Sequence, residues 1–292
     1  MDVIALPVVA GMARRAQRNF QDHKIPLMGV MGAFIFAAQM LSFPVASGTS
    51  SHLVGGTLLA VTLGPAAASI VMTAILITQA LIFQDGGVLA LGANVFNMAI
   101  AGVLAGYVPY ALMRGRRSGI FVGGFLSVAV SAALALGELL VSGVAIPRVA
   151  LAISAGVFVL CGIIEGAITV AVVGALERIQ PGIIRKPHAA ARRTTGAVVG
   201  VAGLLAGAGA LVASEWPDGI ENLTGTATAA KALFAAPMAD YRLPFAGGIL
   251  PGRVMAAFIG VAVVYFVCVA LSRALRSPGA AVSPEAPKPE GV

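Results

Sequence analysis

The sequence predicts an all-α, polytopic membrane protein of about nine transmembrane helices, a seven-span core followed by a two-span module. Three observations predict it. Of 292 residues, 59% are hydrophobic and 11% charged, against roughly 25% charged in ordinary soluble domains. The apolar residues run on without alternating, over lengths that can cross about 30 Å of hydrocarbon, which favours helices whose backbone bonds close within the segment. The Lys and Arg residues fall in short patches between these runs, so the net charge of +7 reads as a topology signal and not as a nucleic-acid footprint.

In chain order the candidate spans are 1–13, 27–43, 53–63, 66–84, 92–112, 118–143, 149–177, 195–213 and 254–272. The first is too short to cross unaided at ~1.5 Å per residue. It lacks the basic leader and small-residue cleavage site of a secretory signal and is expected to be retained. The third ends at the breaker pair Gly64 and Pro65.

Whether 53–63 crosses is decided by charge, because one span more or less inverts everything downstream. If it crosses, Arg14, Arg15, Arg18, Lys24, Arg114, Arg116, Arg117, Arg178, Arg185, Lys186, Arg192, Arg193, Arg273, Arg276 and Lys288 all face the cytoplasm. That puts fifteen of nineteen basic residues inside and leaves Arg148, Lys231, Arg242 and Arg253 outside. Otherwise the clusters at 114–117 and 178–194 face opposite to 14–24. The expected orientation is therefore N-terminus outside and C-terminus inside. The short third span, entered from a polar loop, is where irregular backbone is tolerated beside a cavity.

The expected division is a core at 1–177, a basic linker at 178–194 with Pro181 and Pro187, a module at 195–275 and a disordered tail at 276–292. Cys161 and Cys268 lie inside apolar runs without companion spacing and read as packing residues.

Few residues could carry chemistry. His23 and His188 fall in basic cytoplasmic segments and read as solvated. His52 lies at the outer mouth, between Ser51 and Leu53, and imidazole suits nickel, cobalt, zinc or copper. Two carboxylates lie within spans: Glu165 near the middle of the seventh and Glu138 nearer the outer end of the sixth. Each is either an ionisable functional group or a helix-to-helix hydrogen bond. Asn94 and Asn97 share one helix face and either line a polar cavity or cross-link helices. Pro217, Asp218 and Gly219 have turn composition. No GxxxxGK[ST] run is present in the sequence, so ATP is not bound by a P-loop, and no catalytic constellation points to an enzyme.

Several blocks carry a family resemblance. Gly48, Thr49, Ser50, Ser51, His52 and Leu53, with Gly55, Gly56 and then Leu63, Gly64 and Pro65, resemble the Ser-His-Gly-rich segment of the CbiM/NikM proteins. Gln79 to Gly87 and Leu91 to Ile100 resemble that family's QAL…DGG…LGANVFxMA run, and Glu165 with Gly166 its late Glu-Gly pair. Ser214 to Glu221 and Pro237 to Tyr241 resemble the PDGLE…DY pattern of the small NikN-type partner, here fused to the main chain.

The resemblance implies the substrate-binding subunit of an energy-coupling factor transporter in a bacterial inner membrane, importing Ni²⁺ or Co²⁺. ATP would be hydrolysed on separate subunits, and no cofactor would be permanently bound. It implies His52 as a metal ligand, with Ser51, Gln79, Asp85, Asn94, Asn97 and Glu165 around the cavity. Its alternatives are a proton-coupled carrier and a non-transporting scaffold. Family members begin Met-His-Ile-Pro and hold metal largely through that end. This chain begins Met1, Asp2, so a segment of about 15–25 further residues upstream, enough to complete the first span, is expected.

Overall fold

The computed structural model describes residues 2–18, 24–46, 49–181, 184, 192–212, 236–243 and 248–275. His23, His188, most of the basic linker, the motif at 214–221 and the proline-rich tail lie outside the described residues. Nine helices are described: α1 (Asp2–Arg18), α2 (Lys24–Gln39), α3 (Gly56–Leu63), α4 (Pro65–Phe83), α5 (Leu91–Leu112), α6 (Arg117–Val141), α7 (Arg148–Ile179), α8 (Arg192–Val212) and α9 (Ile249–Ala274). A single 3₁₀ turn, Ala239–Tyr241, precedes α9.

Five of these helices, α4, α5, α6, α7 and α9, are long and apolar enough to cross a bilayer. Shorter apolar stretches occur at Ile25–Gln39 and Thr195–Leu211. Large apolar side chains such as Val141, Val149, Leu204 and Phe266 are exposed on the outside of the bundle. In water such a surface would aggregate; in lipid it is the expected exterior.

The structure departs from the expected spans in one place that matters. The run 27–43 does not continue as helix past Gln39. Ser42–Ala46 (β1) pairs antiparallel with Thr49–His52 (β2), with Ser42 opposite His52 and Phe43 opposite Ser51. The hairpin returns the chain to the bundle, and α3 starts only at Gly56. Every residue of α3 is buried. At eight residues and ~1.5 Å per residue it is about 12 Å long, well short of a full crossing. Gly64, at φ 85°, and Pro65 at the start of α4 break the helix there, because proline cannot donate to a continuing ladder.

Close backbone approach holds α3 against α5 and α6. A Cβ on Gly106 would strike the Thr57 side chain, and one on Gly123 would strike the Gly106 carbonyl. Gly124 stands equally close to the backbone of Gly166, joining α6 to α7. Small residues serve this purpose in membranes, where packing and not water exclusion draws helices together. On the other side α2 is almost wholly buried. Its Gly29 and Gly32 receive Val269, Tyr265 and Cys268 of α9, so one apolar core runs through Phe34, Leu59, Ile75, Ala206 and Val264.

Both long helices flanking α3 contain wide turns. The last turn of α4, Gln79–Phe83, and the stretch Val95–Gly102 of α5 are π-helical. Such turns are over-represented at functional sites because they leave carbonyls and side chains out of helical phase. Both sit at the same end of the bundle, where Gln79 and Asn97 face inward.

The packing generates a mutational contrast. Gly106→Val should destabilise the protein by about 1–3 kcal/mol through overpacking against Thr57. Gly200→Ala, where no described residue lies within 4 Å, should leave stability unchanged or slightly raised. Thermal unfolding of the purified protein in detergent, followed by circular dichroism, measures both.

Candidate functional site

The site is built around the two peptide groups that precede α3. Glu165 lies on α7, 17 residues from Arg148 and 14 from Ile179, hence ~20–25 Å from either end. Its side chain is 2% exposed. Oε2 accepts from the amide of Val54 at 2.9 Å and Oε1 from the amide of Gly55 at 2.7 Å. The chain between β2 and α3 is therefore held at the depth of the middle of α7. Unpaired amides there would have no water to turn to. The carboxylate also sits at the N-terminal end of α3, where the aligned peptide dipoles favour negative charge. Gly55 caps this helix at φ 78°, and a Cβ there would meet Ile35, so glycine is required twice over.

The carbonyl of Val54 is satisfied from the opposite side. Gln39 Nε2 donates to it at 2.8 Å, and Gln79 Nε2 donates to Gln39 Oε1 at 2.9 Å. Gln39 and Gln79 are both buried. The three residues form a line from the π-turn of α4, through the end of α2, to the loop.

His52 stands at the end of β2, just before this anchored segment. Its Nδ1 lies 3.0 Å from the Leu53 carbonyl oxygen. A carbonyl can only accept, so Nδ1 is the donor of this contact, and in the neutral tautomer that makes it Nε2 is the nitrogen with a lone pair. A metal-binding imidazole commonly has one nitrogen fixed by a backbone oxygen and the other left to the ion.

The imidazole borders a cavity of about 490 Å³. Its wall includes Ser50, Ser51, His52 and Val54 from the loop, Gln79 and Asp85 from α4 and its turn, Asn94 and Asn97 from α5, and Ser131 and Ala135 from α6. The sequence-predicted residues Ser51, His52, Gln79, Asp85, Asn94 and Asn97 are thus brought together. Glu165 is not: it is outside the cavity wall, and its two oxygens are engaged by backbone. The expected choice for Glu165, an ionisable functional group or a helix-to-helix bond, is replaced by a helix-to-loop clamp.

Each remaining polar residue has a definable task. Asn94 Nδ2 donates to the Gly86 carbonyl at 3.1 Å and holds the turn between α4 and α5. Asn97 Nδ2 donates to Glu138 Oε2 at 3.0 Å, joining α5 to α6. Asp85 Oδ2 accepts from the Tyr241 hydroxyl at 2.6 Å, and the Met238 amide donates to the Ile82 carbonyl at 3.0 Å. The Tyr241 ring stacks on Phe83 at 4.5 Å. Burial, then the neighbouring Asp85 charge, pushes the Tyr241 hydroxyl well above its ordinary range, so it remains a neutral donor at physiological pH.

Sequence reasoning missed Gln39 and Tyr241. Gln39 carried one usable signal, as a lone amide in the last turn of an otherwise apolar helix. Tyr241 was marked only as part of the Pro237 to Tyr241 pattern, and its contact with Asp85, 156 positions away, was not legible. Among the described residues no group of three or more His, Cys, Asp or Glu side chains could hold a metal ion. The ligands that converge on the cavity are one imidazole nitrogen and several oxygens.

Residues 1–183 match the family described as the cobalt uptake substrate-specific transmembrane region, CbiM. The fused nickel transport protein NikMN of Rhodobacter capsulatus is 30% identical over 90% of this chain and 90% of its own length. An Archaeoglobus fulgidus protein assigned by name to the fused NikMN nickel transport proteins is 36% identical over 86% of this chain and 87% of its own. A crystal structure of a truncated transition metal transporter is 34% identical over 61% of this chain and 92% of that one, with a TM-score of 0.48.

The clamp can be tested directly. Glu165→Gln keeps the shape but presents an NH₂ to one of the two amides, and one buried donor left unpaired costs about 1–3 kcal/mol. Hydrogen exchange at Val54 and Gly55 should accelerate and the melting temperature should fall. Unchanged protection of both amides would contradict the clamp.

Proposed function

We propose that this chain, which belongs to the CbiM family, binds Ni²⁺ or Co²⁺ through His52 Nε2 and passes it across the membrane. It is a multi-pass membrane protein of a nickel and cobalt transport family. The observation that carries the metal-binding role is the placement of His52: Nδ1 is tied to a backbone carbonyl, and the residue lies on the wall of a polar cavity. Imidazole nitrogen selects Ni²⁺ and Co²⁺ over Mg²⁺ and Ca²⁺, which prefer oxygen.

The cavity mouth faces outward in this reading. The hairpin, the turn carrying Asp85 and the start of α5 lie at one end of the bundle. The Arg residues at 14–18, 114–117 and 178 lie at the other, as cytoplasmic segments should. The ion enters between Asp85 and the hairpin and meets His52 above the N-terminal end of α3. Glu165 fixes the height of that meeting point without touching the ion.

Energy comes from outside the chain. With no P-loop in its sequence, inward release is driven by ATP hydrolysed on partner subunits of the energy-coupling factor type, docked on the basic cytoplasmic face. The segment 195–275 acts as the NikN-type module, and its Met238 to Tyr241 turn fastens the outer rim through Asp85 and Ile82.

Calorimetric titration of the full chain with Ni²⁺ and Co²⁺ separates this function from a scaffold role. His52→Ala should weaken binding of both ions by roughly a hundredfold or abolish it, while Asp85→Asn should retain it. Equal affinity in the wild type and His52→Ala would remove His52 from the path.

A further inference from the structure

We propose that oxygen donors from Asn97, on the cavity wall, and from Glu138, to which it is hydrogen-bonded, form a second cation site that holds the ion while it is still hydrated. Its order in a transport path rests on the uptake reading; its existence does not.

The site follows from the orientation of one amide. Asn97 is 2% exposed and lies on the cavity wall. Its Nδ2 donates to Glu138 Oε2. A carboxylate accepts and cannot donate, so the amide cannot be turned around, and Oδ1 is fixed on the side away from Glu138 Oε2. Among the described residues, Asn97 Oδ1 has no hydrogen-bond partner, and neither does Glu138 Oε1. Two buried acceptors in adjacent side chains, one of them a carboxylate, are an arrangement that a membrane protein stabilises with a cation.

Ser131 adds a third oxygen. Its hydroxyl hydrogen is committed to the carbonyls of Asn97 and Ser127, at 2.9 and 2.7 Å, which leaves its lone pairs free on the cavity wall. Ser131 and Glu138 are seven positions apart on α6 and share one helix face, together with the wall residue Ala135. The donor set is carboxylate, carboxamide and hydroxyl, all hard oxygens. Such a set suits a divalent cation that keeps part of its water shell, unlike the imidazole of His52.

Depth gives the order. Glu138 is three residues from the end of α6 and Asn97 six from the start of α5, about 5 and 9 Å from those helix ends at ~1.5 Å per residue. An ion entering at the mouth meets these oxygens first, sheds part of its hydration, and then exchanges oxygen for the His52 nitrogen.

Mn²⁺ alone is the probe, read by electron paramagnetic resonance on the purified full chain in detergent, because it is oxygen-preferring and leaves a nitrogen site largely unfilled. The wild type and His52→Ala should bind Mn²⁺ equally. Glu138→Gln should weaken it by roughly tenfold. Asn97→Asp, which destroys the amide bond to Glu138 but adds a carboxylate, should tighten it. A purely structural cross-link predicts the opposite sign for Asn97→Asp, so that variant decides alone if Glu138→Gln does not fold. No Mn²⁺ bound by the wild type, unchanged affinity in Glu138→Gln, or weaker binding by Asn97→Asp would overturn the site. Loss of Ni²⁺ dependence on His52 with Mn²⁺ binding intact would instead overturn the uptake reading and leave this site standing.

Discussion

The contact on which the rest of this structure depends is the carboxylate of Glu165 on the amides of Val54 and Gly55. A chain that leaves a helix inside a membrane exposes peptide groups to a medium with no replacement donors or acceptors. Here both amides share one side chain, the Val54 carbonyl takes Gln39 Nε2, and the Gly55 carbonyl begins the helical ladder with Leu59. With those groups satisfied, a β-hairpin can descend into the bundle and a two-turn helix can start at mid-depth. The negative charge also lies at the positive end of α3, so electrostatics and hydrogen bonding act in the same direction.

Three consequences follow from that anchor. His52, three residues before Gly55, is carried to the cavity at a defined height, with its Nδ1 turned to a carbonyl. The inner end of α3 reaches the Gly64 and Pro65 break, and α4 returns beside it. The glycines of α5 and α6 then close around α3, because a helix that short is held by neighbours near enough to touch its backbone. A second polar line runs outward from the same loop: Val54 to Gln39, Gln39 to Gln79, and the π-turn of α4 to Asp85, Tyr241 and Met238. The turn before α9 is thereby tied to the rim of the cavity that His52 borders.

Much of this was legible in the sequence. Continuous apolar runs located the helices, because hydrocarbon demands them, and the breaker at Gly64 and Pro65 marked the end of α3. The spacing of Asn94 and Asn97 put both on one face, which proved to be the cavity wall. The β-hairpin was not legible, since Ser42 to His52 is short, polar in its second half and without alternation. Glu165 was legible as a residue but not as a clamp, because its partners are backbone groups 110 and 111 positions away and any residue could have supplied them. Gln39 and Tyr241 were hidden for the same reason. Their roles come from tertiary pairing, to which local periodicity is blind.

On the proposed function, Glu165, outside the cavity, sets the metal affinity of His52 inside it. Ni²⁺ titration of Glu165→Gln, at a temperature where circular dichroism shows it folded, tests this most directly. Misplacing the supporting shell of a metal ligand typically lowers affinity by roughly 10–100-fold, and a loss in that range is the predicted result. Wild-type Ni²⁺ affinity in Glu165→Gln would contradict the account, because His52 would then keep its position without the contact said to hold it.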